Sequence, residues 1–436
     1  MNRERPLLTL DSGWRMSAVR AIETFADILF RRVYRIEARG LENFTHAPST
    51  LVVANHRRDA DGPVICSVLL QRRGLKLRGV VPSFVAREDL FRRGFLADYL
   101  ENWPATVRLL LARLDLSAFL RFMQAFPMRR VPERTLGEVL EAVLEQFGDL
   151  PLDEVLKPSW IEAFRGQAPA GDASVGVKEA LARRYRPLLR SRRGLARLTL
   201  RRFQALKPSE RAAIDSQLEF FVGLLERGGN VQLEPEGVVS VDGHFSRLRA
   251  ALYQLINRSR VPVRVLPVGL TYDFMMPGRP KVFVNVGPEM TDLQGISRRE
   301  TDSRVAAAIA AQWTVTASHL ASRLLMTARD RGASVTSDEL ITYVGVEARR
   351  CAAAGVIVDS LLLDLRTCRK RIRGYLAYGL RSGVIETCGV GRYCAGQSLE
   401  TPRPNWTERD GAIDYLNNEL SSFMRLRPEV LESPER

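Results

Sequence analysis

Three stretches of the sequence share one pattern, in which an apolar run of strand length ends abruptly in polar residues. They are "LVVANHRRDADGP" (51–63), "NVQLEPEG" (230–237) and "VLPVGLTYD" (265–273). Segments with helical periodicity lie between them, such as "AAIDSQLEFFVGLLERGGN" (212–230). Buried strands that alternate with helices predict an α/β fold, with a mixed, mostly parallel sheet flanked by helices.

The chain divides into three predicted regions. An amphipathic N-terminal helix region covers 1–32, an α/β domain covers 33–295, and a mainly helical module covers 300–436. The stretch "LRSGVIETCGVGRYCAG" (380–396) has two strand-like halves around a glycine turn. It predicts a small hairpin that closes a helical, winged module.

The N-terminal region predicts a helix from Trp14 to Arg32, capped by Ser12. One face is apolar and the other polar: Val19, Ile22, Phe25, Ala26 and Leu29 against Arg20, Glu23, Thr24, Asp27 and Arg31. Such a helix either packs on its own domain, which we favour, or lies in the headgroup plane of a membrane. In the second case Trp14 and the flanking arginines would be its anchors.

The composition indicates the cellular compartment in which the chain works. No stretch approaches the roughly 18 apolar residues of a membrane-spanning helix, and the N-terminus lacks the apolar block of a secretory signal. We therefore expect a cytoplasmic protein without a transmembrane helix. The five cysteines are scattered without a CxxC pair, which predicts reduced thiols and no zinc site.

The net charge of +15, from 65 basic and 50 acidic residues, predicts an anionic partner. Phospholipid headgroups, the phosphates of coenzyme A or of a carrier protein, and nucleic acid all fit this charge. The charge alone does not choose among them.

The first stretch contains a histidine and an aspartate in a suggestive order. His56 follows the apolar run, and Asp61 stands just before Gly62 and Pro63, which are suited to the start of a helix. A turn between them could bring the carboxylate to one imidazole nitrogen, so that the other nitrogen could take a proton from a hydroxyl. By spacing alone, the simpler interpretation is that Asp61 caps a helix and His56 is an ordinary loop residue.

Four sequence blocks, taken together and in order, favour the catalytic interpretation of His56 and Asp61 over the structural one. They are "NHRRDAD" (55–61), "AFPMRR" (125–130), "EPEGVVSVDG" (234–243) and "PVGLTYD" (267–273). This ordered set resembles the glycerolipid acyltransferase superfamily over roughly residues 15–290. The first, second and last blocks look like those of the glycerol-3-phosphate and dihydroxyacetone-phosphate acyltransferase branch. The late "YLNNEL" (415–420) is similar to a sequence near the end of those enzymes.

The resemblance implies an O-acyltransferase acting on glycerol 3-phosphate or a lysophospholipid, peripheral on the inner face of the cell membrane. His56 would deprotonate the acceptor hydroxyl, and Asp61 would orient His56. Acyl-CoA or acyl-carrier protein would be the donor, with no metal and no cofactor. The implied acceptor-binding residues are Arg129, Arg130, Glu236, Gly237 and Arg247, and the supporting residues are Asn55, Arg57 and Ser240.

The chain departs from the family pattern in two ways. Val238 and Val239 stand where the family usually places a phosphate-contacting arginine, so Arg247 or Arg249 must supply the charge, or the acceptor is unusual. The spacing between blocks is also long, which predicts insertions at about 90–120 and 132–205. These insertions could form a lid, a membrane-facing surface or a partner site.

Two alternatives stay open at this point. The stretch "RTCRKRIRGYLAYGLRSG" (366–383) is strongly basic on a predicted helix, so the C-terminal module could bind nucleic acid. We favour a solvated or membrane-facing surface for it, and regard nucleic acid as an unlikely partner. The valines at 238 and 239 also allow a degenerate acyltransferase scaffold, although His56 and Asp61 are intact.

Overall fold

The structure is a computed structural model, which describes residues 13–69, 71–73, 76–78, 82–100, 103–129, 134–167, 175–191, 193–396 and 411–427. The chain forms two compact units. Unit 1 comprises Met1–Val85, Phe122–Ala125 and Val222–Arg436, and unit 2 comprises Ala86–Arg121 and Phe126–Phe221.

The strands of the described residues form three sheets, and the largest has seven strands. In chain order the strands are β1 (Arg35–Arg39), β2 (Thr50–Ala54), β3 (Gln71–Arg73), β4 (Lys76–Arg78), β5 (Ser83–Arg87), β6 (Ala125–Met128), β7 (Val231–Leu233), β8 (Arg264–Asp273), β9 (Lys281–Val286), β10 (Val335–Thr336), β11 (Ile385–Gly389) and β12 (Arg392–Ala395). The large sheet has the order β1-β9-β8-β2-β7-β5-β6. β2 runs parallel to both β7 and β8, whereas β8 and β9 form an antiparallel hairpin. The predicted mixed, mostly parallel sheet is therefore confirmed.

Helices of unit 1 flank this sheet. They are α1 (Gly13–Val33) and α2 (Asp61–Leu69). A continuous core lies between α2 and the central strands, with Val52 and Val268 of the sheet among its fully buried members. The apolar run that ends at Ala54 is buried at every position of β2, as the sequence predicts.

Most of the next helices belong to unit 2. They are α3 (Phe95–Tyr99), α4 (Ala105–Leu111), α5 (Ser117–Phe122), α6 (Leu136–Phe147), α7 (Leu152–Val155), α8 (Pro158–Arg165), α9 (Val177–Ala180), α10 (Arg186–Leu189) and α11 (Leu200–Glu226). Pro104 is the N-cap of α4, and Gly148 is the C-cap at which α6 ends. Both predicted insertions lie in this unit, which has its own apolar core around Leu140 and Phe164.

The rest of unit 1 is mainly helical, as predicted. Its helices are α12 (Ala250–Arg258), α13 (Arg298–Ala310), α14 (Ala317–Asp330), α15 (Ser337–Ala353), α16 (Leu365–Ser382) and α17 (Ala412–Leu426). β11 and β12 form the predicted hairpin, and β10 pairs with β12 to complete a small antiparallel sheet. The order α14-β10-α15-α16-β11-β12 is that of a winged-helix module.

One cysteine prediction is wrong. Cys388 and Cys394 are joined by a disulfide across the hairpin of β11 and β12, with Cα atoms 6.1 Å apart. The turn at 389–391 folds the two strands together, and nothing in their spacing indicated this contact. Cys66, Cys351 and Cys368 are free and buried.

The orientation of α1 also differs from the prediction. Val19 is buried, but Phe25 and Leu29 of the predicted inner face are 68% and 52% exposed. Asp27, predicted to face water, is buried and accepts two hydrogen bonds from Nε of Arg31 at 2.9 and 3.1 Å. Because Arg31 neutralises Asp27, this position can face inward beside Phe30, which packs against the sheet core, while Phe25 and Leu29 are left outside. Among the described residues, no helix is both long and apolar enough to cross a bilayer.

Candidate functional site

The candidate site lies where β2 ends at the carboxyl edge of the sheet. Asn55 is fully buried and binds the neighbouring strand β8 twice: its Nδ2 donates to the carbonyl of Leu270 at 2.8 Å, and its Oδ1 accepts from the Leu270 amide at 2.7 Å. This clamp fixes the chain just before His56. The role of Asn55 is thus to hold the strand end.

His56 and Asp61 are brought together by the turn that starts α2. Nδ1 of His56 lies 3.0 Å from Oδ2 of Asp61, and both side chains are buried. Asp61 Oδ2 also accepts from the amides of Arg57 at 2.5 Å and Arg58 at 2.8 Å. A carboxylate only accepts, so a neutral His56 has its proton on Nδ1 and its lone pair on Nε2.

Tyr272, to which the sequence analysis gave no role, supplies a further donor to Asp61. Its hydroxyl donates to Oδ1 of Asp61 at 2.7 Å from the end of β8. Burial and the adjacent carboxylate raise the pKa of Tyr272 well above its ordinary value, so the phenol stays protonated. The Arg58 guanidinium covers the same ring at 4.9 Å from its centroid. The polar end of "VLPVGLTYD" was the only sequence signal for this residue.

Glu236 connects the second strand end to the first. Its Oε1 accepts from the backbone amide of His56 at 2.8 Å, and its Oε2 accepts from the amide of Ser246 at 2.7 Å. Burial raises the pKa of Glu236, although the charge of Arg57 and these two amide donors oppose the rise. The side chain is fully buried, so it shapes the site by holding the backbone.

The residues around Glu236 form a compact loop. Gly237 has φ of 74°, and a Cβ there would lie 3.0 Å from Cγ of Arg249. The exposed Arg249 side chain therefore crosses Gly237, and its Nε donates to the carbonyl of Glu236 at 3.2 Å. Ser240 donates its amide to the His56 carbonyl at 3.0 Å, and its buried hydroxyl organises residues 243 and 244.

Arg57 is not available to a substrate phosphate. Its side chain is 2% exposed, its Nε lies 2.9 Å from Oε1 of Glu419, and its guanidinium stacks on Trp313. Burial alone would lower the pKa of Arg57, but the charge of Glu419 and weaker contributions from neighbouring acidic groups outweigh it and raise the pKa. The guanidinium stays charged and holds the site together.

Glu419 is a second residue that the sequence analysis did not assign, although it lies in "YLNNEL". This buried carboxylate of α17 binds Arg57 with one oxygen, and its other oxygen lies 3.1 Å from Nε2 of His319. Gly243 packs so closely on α17 that a Cβ would be 2.0 Å from the carbonyl oxygen of Tyr415. The last helix is therefore part of the framework around His56.

The predicted arginines have different surroundings. Arg129 belongs to unit 2, where it pairs with Glu88 at 2.9 Å and Glu210 at 3.5 Å. Hydrogen bonding to Glu88 raises the pKa of Arg129, with burial opposing it. Arg130 lies outside the described residues. Arg247 is exposed in the loop before α12, near Asp302.

The described residues hold no group of three or more His, Cys, Asp or Glu side chains that could bind a metal ion. The arrangement around His56 offers a different chemistry: an imidazole whose tautomer is fixed by a buried carboxylate. Such a pair can accept a proton from a hydroxyl and return it to a leaving group.

Comparisons with known proteins give the chain no family. No protein-family model matches it, and no curated protein matches it. Among solved structures, it is similar to the 1-acyl-sn-glycerophosphate (LPA) acyltransferase PlsC from Thermotoga maritima. The identity is 15% and the TM-score 0.35, with 70% of this chain and 81% of that chain covered. A likeness at this level does not define the family or the activity of the chain.

Proposed function

We propose that the chain is an O-acyltransferase that moves a fatty acyl group from acyl-CoA or acyl-carrier protein to a hydroxyl of a glycerolipid precursor. The observation that carries the proposal is the His56–Asp61 pair, which stands 3.0 Å apart at a strand end. The four ordered sequence blocks support the choice of acyl transfer over other reactions of a histidine–aspartate pair.

In the proposed reaction, Nε2 of His56 takes the proton of the acceptor hydroxyl as its oxygen attacks the thioester carbonyl carbon. Asp61 stabilises the imidazolium that forms, and Tyr272 and the two loop amides hold Asp61 in place. The tetrahedral intermediate then collapses, the carbon–sulfur bond breaks, and His56 returns the proton to the thiolate. No redox step or net change in protonation is involved.

The proposed acceptor is glycerol 3-phosphate or a lysophospholipid, and Arg249 is the proposed phosphate contact. Arg249 lies on Gly237 next to the valines that replace the family's arginine, and its exposed side chain is tied to this loop. A guanidinium there could bind two phosphate oxygens. Arg247, on the same loop, is the second candidate. Arg129 and Arg130 stay predicted contacts for the phosphate.

A panel of acceptors tests this function. Purified protein is given a labelled acyl donor with phosphorylated acceptors and with their unphosphorylated counterparts. We expect transfer to the phosphorylated acceptors. Arg249→Gln should raise KM for them about tenfold with kcat retained, because it removes uniform binding. Arg260→Gln, at an exposed position just after α12, is the matched control, and Arg247→Gln tests the second candidate. Transfer to no acceptor would leave a degenerate scaffold as the better description.

The setting proposed for this reaction is the inner face of the cell membrane. A lysophospholipid acceptor and a phospholipid product both reside in a bilayer, and a net charge of +15 favours an anionic surface. The protein would associate peripherally with that surface. No cofactor is needed beyond the acyl donor.

A further inference from the structure

One surface of unit 1 combines exposed apolar side chains with basic ones. We name it the basic–apolar face. It consists of the outer stripe of α1, the turn at 277–279 between β8 and β9, and the outer stripe of α16 together with the residues just before it. Neither the sheet core nor the candidate site accounts for its composition.

The α1 stripe is apolar where water would favour polar residues. Phe25, Ile28, Leu29 and Val33 are 68%, 45%, 52% and 43% exposed. They follow one another at helical spacing, so they form a continuous band. Exposed apolar bands of this kind mark interaction surfaces rather than ordinary solvated helices.

The α16 stripe is basic. Arg366, Arg369, Lys370 and Arg373 are all exposed. The opposite side of the helix is anchored differently, because Arg371 is buried and binds Asp273 at the end of β8. Leu363 and Leu365, at the start of the stripe, are 44% and 56% exposed.

Contacts through the β8–β9 turn join these two stripes into one surface. Nη1 of Arg279, in this turn, donates to the carbonyl of Arg31 in α1 at 2.6 Å. The same turn lies against α16, since a Cβ at Gly374 would be 3.2 Å from Cδ of Pro277. The turn residues 277–279 are themselves exposed.

A buried lysine strengthens this junction. Nζ of Lys281 binds Glu37 of β1 at 2.9 Å and Asp359, just before Leu363, at 3.0 Å. β1 begins with the exposed Arg35, which pairs in register with Lys281. The edge strand, the turn and α16 are therefore held together by a buried ionic contact.

The face lies at the same edge of the sheet as the candidate site. β8 is parallel to β2, and its last residues reach the edge where β2 delivers His56. Tyr272 binds Asp61 there, while Asp273, its neighbour, binds Arg371 of α16. Tyr272 and Asp273, which are consecutive in β8, therefore connect the candidate site to the basic–apolar face.

We propose that the basic–apolar face docks the protein on a lipid bilayer with anionic headgroups. The proposal rests on the proposed function in one respect only: docking would present the candidate site to its lipid substrate. A bilayer accepts both parts of the face, because its headgroups attract arginines and its acyl boundary accepts Phe25 and Leu29. Nucleic acid would meet the α16 charges but would leave the exposed aliphatic side chains in water.

The test is co-flotation of the full-length protein with vesicles, which needs no activity. Vesicles of phosphatidylcholine alone are compared with vesicles that also contain phosphatidylglycerol. We expect binding only to the mixed vesicles. Removing three charges by Arg366→Gln, Lys370→Gln and Arg373→Gln should lower partitioning roughly 100-fold. Phe25→Ser with Leu29→Ser should lower it about tenfold or more.

Matched controls keep the result specific. Arg260→Gln, Arg299→Gln and Arg331→Gln remove the same charge from exposed positions elsewhere in unit 1, and Val390→Ser removes an exposed apolar side chain. These variants should bind like the wild type.

Equal binding by the triple α16 variant and its control would overturn the proposal, as would wild-type protein that does not bind mixed vesicles but binds duplex DNA. Failure of acyl transfer would leave the vesicle result intact, so the two hypotheses fail separately.

Discussion

At the scale of single residues, the candidate site depends on the hydrogen bonds that the carboxylate of Asp61 accepts. Asp61 accepts from two loop amides and from Tyr272, and its Oδ2 also faces Nδ1 of His56. Three of these contacts converge on Oδ2, and Tyr272 binds Oδ1, so both carboxylate oxygens are held. Asp61 therefore holds His56 in a single orientation, and each donor can be tested by substitution.

Tyr272→Phe removes one donor and leaves the packing of the ring unchanged. We expect kcat for acyl transfer to fall about tenfold and the free energy of unfolding to fall by about 1–3 kcal/mol, because a buried acceptor loses its partner. Tyr375→Phe is the control, since Tyr375 is equally buried but its hydroxyl lies 2.9 Å from Ser322 instead. Steady-state kinetics should show kcat falling only at position 272. Equal kcat losses in both variants would argue against a role for Tyr272 at the site.

Glu419→Gln tests the contact between the last helix and Arg57. It removes the main counter-charge of a buried guanidinium, so we expect a loss of about 3–5 kcal/mol of stability together with reduced acyl transfer. Asp414→Asn is the matched control on the same helix, because it breaks a partly exposed ion pair with Arg329 that is worth about 1 kcal/mol or less. Thermal unfolding and activity should separate the two variants. If Glu419→Gln behaves like Asp414→Asn, the buried pair is not part of the framework.

At the scale of elements, the sequence predicts the strands better than the long-range contacts. β2 contains the predicted apolar run because Ser49 before it and Asn55 after it leave little freedom in where the strand begins and ends. The orientation of α1 could not be predicted, because it depends on Arg31 neutralising a buried Asp27. Likewise, Glu419 and Tyr272 meet the His56 motif only through folding, so no local spacing indicates their partners.

Gly243→Ala tests how closely α17 packs on the loop after β7. The backbone there has φ of 87°, and a Cβ would lie 2.0 Å from the carbonyl oxygen of Tyr415. We expect a loss of about 2 kcal/mol or more in stability, and reduced activity, because the loop must move. Gly332 is also at positive φ, but nothing lies within 4 Å of a Cβ built there. Gly332→Ala should therefore lose only the stability that a positive φ costs a residue with a Cβ. Equal melting temperatures for the two variants would contradict the close approach.

At the scale of the whole molecule, the motifs predict a site that unit 1 assembles from distant segments. His56 contacts both Asp61 and Glu236 within unit 1, whereas Arg129 is paired within unit 2. The basic–apolar face arises from α1, the β8–β9 turn and α16, which no single pattern connects. The net charge of the sequence predicts an anionic partner, but only folding brings the basic residues of α16 onto the same surface as the β8–β9 turn and α1.

The pH dependence of stability should report the buried Glu236. Its pKa is raised in the folded state, so its contribution to stability is fully present below the unfolded value of about 4.3 and is lost as pH rises through the folded value. Glu236→Gln cannot titrate. The melting temperature of the variant relative to wild type should therefore improve as pH rises from about 4 towards neutrality. A difference that stays constant with pH would show that Glu236 is not desolvated.

The proposed role of His56 is tested most directly by acyl transfer with the wild type and with His56→Ala. Both proteins receive a labelled acyl donor and a phosphorylated acceptor, while circular dichroism and thermal unfolding establish that the variant keeps its fold. We expect transfer by the wild type and a fall of about 1,000-fold in the variant, because the general base is lost. A folded His56→Ala variant with wild-type activity would contradict it.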